Sequence, residues 1–230
     1  MVQFFKIFTS TLGKKIFMGL SGLALSGFIV VHLVGNLTLF SPDKDPFNKY
    51  AHFLQSLGTL IYFAEFILAS IFLVHFGYAI YVQIGNWKAR PKNYAVSKNA
   101  GHTSRKSWAS VTMIWTGLII IVFTVLHLFH FKFGEVIMYT TKDGVVIRDL
   151  YTVVYQYFSN IWNVIIYVIV MVLLGYHTSH GVWSAFQSLG LSGQRFTRLA
   201  QGFGYLFAVA MAFGFVLLPV LIFFMTGGTL

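Results

Sequence analysis

The sequence contains no cysteine and very few charged residues. Among its 230 residues there is no Cys, and Asp, Glu, Lys and Arg together make up only 10%. The absence of cysteine excludes disulfides, thiolate-bound iron–sulfur clusters and covalent haem attachment through a Cys-x-x-Cys-His motif. A water-soluble domain carries roughly 25% charged residues, so the composition indicates a protein that is surrounded mainly by lipid.

Charged residues are scarce because long apolar runs occupy most of the chain. A membrane-spanning helix needs about 20 apolar residues. Five such runs are predicted as spans, at residues 16–40, 58–85, 108–131, 161–184 and 202–225. Lys14 and Lys15 precede the first run, but this run is too long for a signal peptide and no small-residue cleavage site follows it. We therefore expect an all-α membrane protein, a single five-helix bundle over residues 1–230 with its first helix retained.

The basic residues are distributed unequally between the two ends of the predicted bundle. Three segments (before span one, between spans two and three, and between spans four and five) contain no acid and eleven basic residues: Lys6, Lys14, Lys15, Lys88, Arg90, Lys92, Lys98, Arg105, Lys106, Arg195 and Arg198. The other two connections contain five basic residues, which are Lys44, Lys49, Lys132, Lys142 and Arg148. Five acids balance them. This asymmetry predicts a cytoplasmic N-terminus and a C-terminus outside. The basic face has two interpretations, an ordinary topology signal that attracts anionic lipid or a docking surface for a cytoplasmic protein.

Each of the first four spans contains a histidine: His32, His75, His127 and His177. A histidine in a lipid-buried helix must find partners for its ring nitrogens, so it rarely occurs there without a role. At a rise of about 1.5 Å per residue, His32 and His127 lie roughly 24 to 28 Å from the cytoplasmic ends of their outward-running helices. His75 and His177 come late in inward-running helices, near the cytoplasmic side. The four residues therefore form an outer pair and an inner pair.

Two histidines at one depth suit the two axial positions of a haem iron. Imidazole is a good ligand for iron, and helix bundles hold such cofactors between facing side chains. An imidazole on each face leaves no vacant position, which favours electron transfer over oxygen binding. Six glycines lie near the four histidines in the sequence: Gly27, Gly35, Gly77, Gly117, Gly175 and Gly181. They provide room for a porphyrin, although close helix packing in lipid explains them equally well. The sequence predicts two bis-histidine haems, with a hydrogen bond to a neighbouring helix as the alternative for any single histidine.

The remaining histidines leave part of the ligand assignment open. His130 and His180 each follow a proposed ligand by three residues, and residues three apart share one helix face. Either is an alternative ligand; otherwise they contact haem propionates or quinone, or face water. His52 and His102 lie in or beside connecting segments, and His52 is a weaker alternative.

Glu65 is the only acid predicted to lie within a span. An intramembrane carboxylate often marks a proton path. Glu65, however, lies only about two helical turns from the outer end of its span, so we favour an interpretation in which its side chain reaches the outer interface.

Several motifs resemble one family of membrane cytochromes. They are Val31–Asn36 around the first histidine, Phe47–Leu57 in the first outer connection, Gly77–Tyr78 after His75, Thr116–Gly117 before His127, and His177–Ser184 continuing into Phe186–Gly190. The match covers nearly the whole chain, and the stretch from His177 to Gly190 is its most specific part. The chain resembles the cytochrome b subunit of succinate dehydrogenase and fumarate reductase, in its single-subunit, five-helix form with two haems b.

The resemblance implies ligands, partners and a location. His75 and His177 would bind the haem proximal to the cytoplasm, and His32 and His127 the distal haem. A flavoprotein and an iron–sulfur subunit would associate with the cytoplasmic face, and a quinone, menaquinone in this haem-rich form, would react at the membrane chain. The chain would be an enzyme subunit without a dicarboxylate site, in the bacterial cytoplasmic (inner) membrane. Its complex could form a higher oligomer, and no nucleic-acid partner is expected.

Two rival functions are open at this stage. The first is the cytochrome b subunit of another quinone-linked complex, a hydrogenase or a formate dehydrogenase, although the His177–Gly190 stretch argues against it. The second is a haem-free transporter or structural anchor that uses the histidines for protons or packing.

Overall fold

The long apolar runs form long helices in the computed structural model of the chain, which describes residues 8–89, 108–191 and 193–228. The main helices are α1 (Thr11–Leu37), α2 (Asp45–Ser56), α3 (Thr59–Ala89), α4 (Trp108–His127), α5 (Leu150–Phe158), α6 (Ile161–Ser188) and α7 (Gln194–Met225). An antiparallel hairpin of β1 (Met138–Thr140) and β2 (Val146–Arg148) lies between α4 and α5. Several residues used in the predictions lie outside the described part: His102, Lys6, Arg90, Lys92, Lys98, Arg105 and Lys106.

Helices α1, α3, α4, α6 and α7 are each long and apolar enough to cross a membrane. This confirms the predicted fold class and the order of the five spans. The bounds differ, because an apolar run determines the part that can lie in lipid and not the length of the helix. The largest error is at α7, which begins at Gln194 and not near residue 202. Arg195 and Arg198 were predicted in a connecting loop, but both lie in the first turns of α7 with exposed side chains.

Local side chains explain where several helices begin and end. The Ser10 hydroxyl accepts a hydrogen bond from the Gly13 amide at 3.0 Å, at the start of α1, and Asn160 caps α6 through the Trp162 amide at 2.9 Å. Both bonds satisfy amides that have no partner inside the helix. At its far end α4 continues into a π-helical turn, Leu128–Lys132. Such turns are often found beside functional residues, and this one directly follows His127.

The closest packing in the bundle is between α6 and α7, where small residues let the backbones approach. A Cβ atom added at Gly175 would lie 2.8 Å from the Ala212 Cβ, and one added at Gly204 would lie 3.3 Å from the Ser179 carbonyl oxygen. Helix α1 packs on α3 and α6, and α4 packs on α6. In contrast, no residue of α3 is buried. The interior is therefore densely packed on the α6–α7 side and less so beside α3.

A loop cap, formed by residues 41–57 and 133–160, covers one end of the bundle. It contains α2, the β-hairpin and α5, and its buried apolar residues include Phe47, Ile147 and Val154. The hairpin has a tight turn at Asp143–Gly144: Gly144 has φ +81° and its amide donates to the Thr141 carbonyl at 2.9 Å. The cap lies at the end of the bundle near His32 and His127, because α1 leads into α2 and α4 leads into the hairpin.

Asp149 is the polar centre of the loop cap and is only 2% exposed. Its carboxylate accepts hydrogen bonds from the Asn48 side chain at 2.9 Å and the Thr152 amide at 3.0 Å, and it forms an ion pair with Lys44. Asn48 is itself fully buried, and its side-chain Oδ1 atom accepts a hydrogen bond from the backbone amide of Tyr151 at 2.8 Å. This network joins α2 to the start of α5. Burial raises the pKa of the Asp149 carboxyl, but the hydrogen bonds from Lys44, Thr152 and Asn48 outweigh it and hold the pKa below its usual value.

Replacing Asp149 by Asn is expected to lower the thermal midpoint of unfolding of the purified protein. The substitution removes the charge that pairs with Lys44. It also replaces one carboxylate oxygen by an amide group that donates, so a hydrogen-bond donor of the network loses its acceptor. The expected loss is about 1–3 kcal/mol of unfolding free energy. The matched control is Asp143→Asn, because Asp143 is 67% exposed where it pairs with Lys49 and exposed pairs contribute little. Equal shifts in the two variants would show that Asp149 does not anchor the cap.

The same network predicts a dependence of stability on pH. Because the folded-state pKa of Asp149 lies below the unfolded value of about 3.9, ionised Asp149 stabilises the fold at neutral pH. That contribution is lost as the pH falls through the folded-state pKa. Thermal midpoints measured from pH 7 down to pH 3 should fall less steeply for Asp149→Asn than for the wild type. A curve of unchanged slope would contradict the assignment.

Candidate functional site

The structure brings the four span histidines together as two pairs of neighbouring rings. The ring centres of His32 in α1 and His127 in α4 are 5.7 Å apart, and those of His75 in α3 and His177 in α6 are 6.3 Å apart. All four side chains are partly buried. We call them the outer pair and the inner pair, as in the sequence prediction, and each pair joins two different membrane helices.

The separation of the rings fits two imidazoles that share one metal ion. A metal–imidazole bond is about 2 Å long, so two rings on opposite sides of one metal have centres about 6 Å apart. Within the described residues, no group of three or more His, Cys, Asp or Glu side chains could hold a metal ion. A structural zinc site uses four protein ligands. Two imidazoles without further protein ligands therefore suit a metal whose other ligands come from a bound group, as they do in haem.

Hydroxyl groups from neighbouring helices contact both rings of the inner pair. The Ser21 Oγ atom in α1 is 3.2 Å from Nδ1 of His75, and the Thr116 Oγ1 atom in α4 is 3.0 Å from Nδ1 of His177. Both hydroxyl-bearing residues are buried, at 7% and 5% exposure. Each contact occupies Nδ1, the ring nitrogen nearer the backbone.

A glycine follows each of these hydroxyl residues and also faces the histidine. A Cβ atom added at Gly22 would lie 3.2 Å from Cε1 of His75, and one added at Gly117 would lie 3.5 Å from Cε1 of His177. The absence of a side chain thus allows α1 and α4 to approach the two rings. Gly117 is one of the glycines that the sequence singled out, whereas Gly27 and Gly77 have no atom within 4 Å of an added Cβ.

The outer pair lies among aromatic side chains. Nδ1 of His127 is 3.1 Å from the hydroxyl of Tyr167, which is buried in α6. Phe123 and Phe131 also contact the ring of His127, with centres 5.6 and 5.2 Å away. The ring of His32 lies against Phe28 and Phe215, and no hydrogen bond to its ring nitrogens is found within the described residues. The outer pair is therefore less polar than the inner pair.

The alternative ligands have different surroundings. In the described part of the chain the nearest ring contacts of His130 and His180 are with Tyr157 at 4.7 Å and Trp183 at 5.1 Å, and not with another imidazole. Nδ1 of His130 is also 2.6 Å from the Leu126 carbonyl oxygen. Nδ1 of His180 is buried without a partner among the described residues. His52 is exposed on α2, beside the hairpin. None of the three faces a second histidine as the span histidines do.

Glu65 forms an ion pair with Lys132, which ends the π-helical turn after α4. Both side chains are well exposed, at 40% and 37%. The pair joins α3 to α4 near the loop cap. This position agrees with the expectation that the carboxylate reaches the outer interface, and the partner of opposite charge was not predicted because Lys132 had been placed in a connecting segment.

Sequence reasoning missed Ser21 and Gly22, although the chain contains a signal for them. Ser21-Gly22 precedes His32 with the same spacing as Thr116-Gly117 precedes His127: the hydroxyl residue is eleven positions before the histidine in both helices. Only the second of these pairs was noted. Aligning α1 with α4 on their histidines would have found the first.

No protein-family model, no curated protein and no solved structure matches the chain. The function therefore has to be argued from the five apolar helices, the two histidine pairs and the groups that contact them.

Proposed function

We propose that this chain is the di-haem cytochrome b membrane anchor of a succinate:quinone oxidoreductase, a succinate dehydrogenase or fumarate reductase. The observation that carries the proposal is the presence of two imidazole pairs, one pair above the other, within a bundle of five apolar helices. The chain itself would transfer electrons and react with quinone. It would contribute no dicarboxylate chemistry.

The residues that would hold the two haems are the two pairs. His75 and His177 would bind the haem proximal to the cytoplasm, and His32 and His127 the distal one. When bound, haem b supplies a centre for one-electron oxidation and reduction. The two imidazoles of a pair would hold the haem from two helices and would leave the iron no vacant position for oxygen. Neighbouring hydroxyls would hold the rings of His75, His177 and His127.

The loose packing of α3 supports the proposal. This helix is 31 residues long and carries His75, yet none of its residues is buried. A helix of a filled bundle would bury one face against its neighbours. Helix α3 packs mainly on α1 and makes few contacts with α4. The protein side chains thus leave space beside α3 that a planar prosthetic group or a partner subunit would cover.

Charge supports the proposed partners. The segments on the predicted cytoplasmic side have eleven basic residues and no acid, and such a face attracts an acidic protein surface as well as anionic lipid. An iron–sulfur subunit with its flavoprotein would dock there, close to the inner pair. In this arrangement the clusters of the iron–sulfur subunit would lie beside the inner pair, and membrane menaquinone, or another quinone, would react at this chain. The proposed location is the bacterial cytoplasmic (inner) membrane.

The purified chain is expected to bind two haems b. Dithionite-reduced minus oxidised spectra should contain b-type bands, and a pyridine haemochrome assay against protein concentration should give about two haems per chain. Absence of b-type bands in membrane-inserted protein would overturn the proposal in favour of a haem-free transporter or anchor.

Substitution of one histidine should remove one haem. His177→Ala is expected to abolish the proximal haem and leave the distal one, because each pair provides both axial ligands of one site. His180→Ala is the matched control. His180 lies one helical turn away in the same motif, and this variant should keep both haems. Haem content and redox titration of both variants are the measurements. If His177→Ala keeps both haems while His180→Ala loses one, the ligand is His180.

The complex isolated through an affinity tag on this chain should contain covalently or tightly bound flavin and iron–sulfur clusters, and it should couple succinate oxidation or fumarate reduction to a quinone. Flavin fluorescence, iron and sulfide analysis and dicarboxylate-dependent quinone assays provide the measurement. Nickel or molybdenum in the co-purified partners, with hydrogen or formate as the electron donor, would instead identify a hydrogenase or formate dehydrogenase.

A further inference from the structure

We propose that Ser21 and Thr116 are positioning residues for the inner pair. Each hydroxyl accepts the Nδ1 hydrogen of the histidine that it faces, and thereby holds the ring with its Nε2 lone pair free to bind a metal. The inference rests on the proposed function, since the metal it would bind is the iron of a haem. It assigns a role to two residues outside the ligand set, and it predicts that the two haem sites are controlled differently.

The direction of the Ser21–His75 hydrogen bond follows from the number of hydrogens. The Ser21 hydroxyl lies 2.6 Å from the Phe17 carbonyl oxygen, one turn earlier in α1. A carbonyl cannot donate, and this contact is shorter than the one with His75, so we assign the single hydroxyl hydrogen to the carbonyl. The contact of 3.2 Å between Ser21 Oγ and His75 Nδ1 must then use a hydrogen from the ring. Nδ1 of His75 is therefore the donor.

The same reasoning applies to Thr116 and His177. The Thr116 hydroxyl is 3.1 Å from the carbonyl oxygens of both Thr112 and Met113, so its hydrogen is shared between them. We assign the contact of 3.0 Å with His177 Nδ1 the same direction as in the Ser21–His75 pair, from the ring to the hydroxyl. A neutral imidazole carries one N–H. Once it is on Nδ1, Nε2 of each inner ring has an unprotonated lone pair, which is the form that binds a metal.

The outer pair differs in this respect. The Tyr167 hydroxyl is 3.1 Å from His127 Nδ1, but within the described residues it makes no second hydrogen bond that would fix its direction. His32 has no hydrogen-bond partner on its ring in the same part of the chain. The fixed Nδ1–H tautomer is therefore a property of the inner pair, and the outer pair provides an internal reference for any experiment.

The spacing along α1 and α4 explains how two helices serve both pairs. In each helix the hydroxyl residue is eleven positions before the histidine. Eleven residues make about three turns and a rise of about 16 Å, so the hydroxyl and the imidazole lie on one face at different depths. Each of these helices thus gives a ligand to the outer pair and a positioning group to the inner pair. The glycine after each hydroxyl lets the facing ring approach.

The hydroxyl acceptor also affects the proposed metal. A hydrogen bond from Nδ1–H to an oxygen makes the imidazole a stronger donor through Nε2. A stronger donor favours the oxidised, more positive iron, and outer hydrogen bonds of this kind adjust haem potentials. Removing the acceptor should therefore raise the midpoint potential of the inner haem and weaken its binding.

The test uses the complete chain in its complex, with Ser21→Ala and Thr116→Val as the two variants. Threonine to valine keeps the shape and removes the hydroxyl. We expect each variant to shift the midpoint potential of one haem upward, leave the other haem unchanged, and weaken retention of the shifted haem about 10- to 100-fold in transfer to apomyoglobin. The conservative variants Ser21→Thr and Thr116→Ser should restore both properties.

Matched controls exist in the same two helices. Ser26 and Thr124 donate to the Gly22 and Ile120 carbonyls of their own helices, but within the described residues neither has a hydrogen bond to a histidine. Ser26→Ala and Thr124→Val should leave both potentials unchanged. The two test variants are independent, so if one fails to insert into the membrane, the other still decides.

The outcomes separate this inference from the proposed function. Wild-type potentials for both haems in a haem-loaded Ser21→Ala or Thr116→Val variant would overturn the positioning role alone. Equal shifts in the control variants, or shifts of both haems together, would also overturn it, because they would indicate a general packing effect. A wild-type chain without b-type haem would overturn the proposed function and this inference with it.

Discussion

An imidazole inside an apolar bundle has two ring nitrogens and, when neutral, only one hydrogen, and the bundle must provide a partner for each nitrogen. The inner pair shows how this requirement is met. Ser21 and Thr116 contact Nδ1 of His75 and His177, and the centres of the two rings are 6.3 Å apart. Each hydroxyl satisfies its own hydrogen on a carbonyl of its helix. These contacts join α1 to α3 and α4 to α6.

The packing of the bundle is arranged around the same requirement. Where backbones meet without a histidine between them, as at Gly175 and Ala212, small residues bring α6 and α7 together. Where a histidine lies between helices, a glycine in the facing helix makes room for its ring, as Gly22 does for His75. Glycine therefore has two roles here, and its position relative to a histidine distinguishes them. Helix α3, which has no buried residue, represents the part of the bundle that protein side chains alone do not fill.

The sequence was sufficient for the five spans and for the two pairs of histidines, because apolar length and a rise of 1.5 Å per residue are properties of a helix in isolation. It was not sufficient for contacts that depend on how helices rotate about their axes. Ser21 is an ordinary small polar residue in the sequence, and only the facing ring of His75 distinguishes it from Ser26. The Asp149 network joins residues about 100 positions apart, so no local pattern reveals it. The start of α7 at Gln194 was missed because its first turns are polar.

The two pairs depend on different parts of the molecule. The inner pair is held by Ser21 and Thr116, which belong to the membrane helices themselves. The outer pair is held partly through Tyr167, whose ring packs against Phe158 of α5 at 4.8 Å between centres. Asp149 directly precedes α5 and caps it through the Thr152 amide. A change in the loop cap can therefore reach His127 through α5 and Tyr167, whereas it has no comparable route to His177. The two histidine pairs thus have different supports, one from hydroxyls inside the bundle and the other from the folded segment that covers its end.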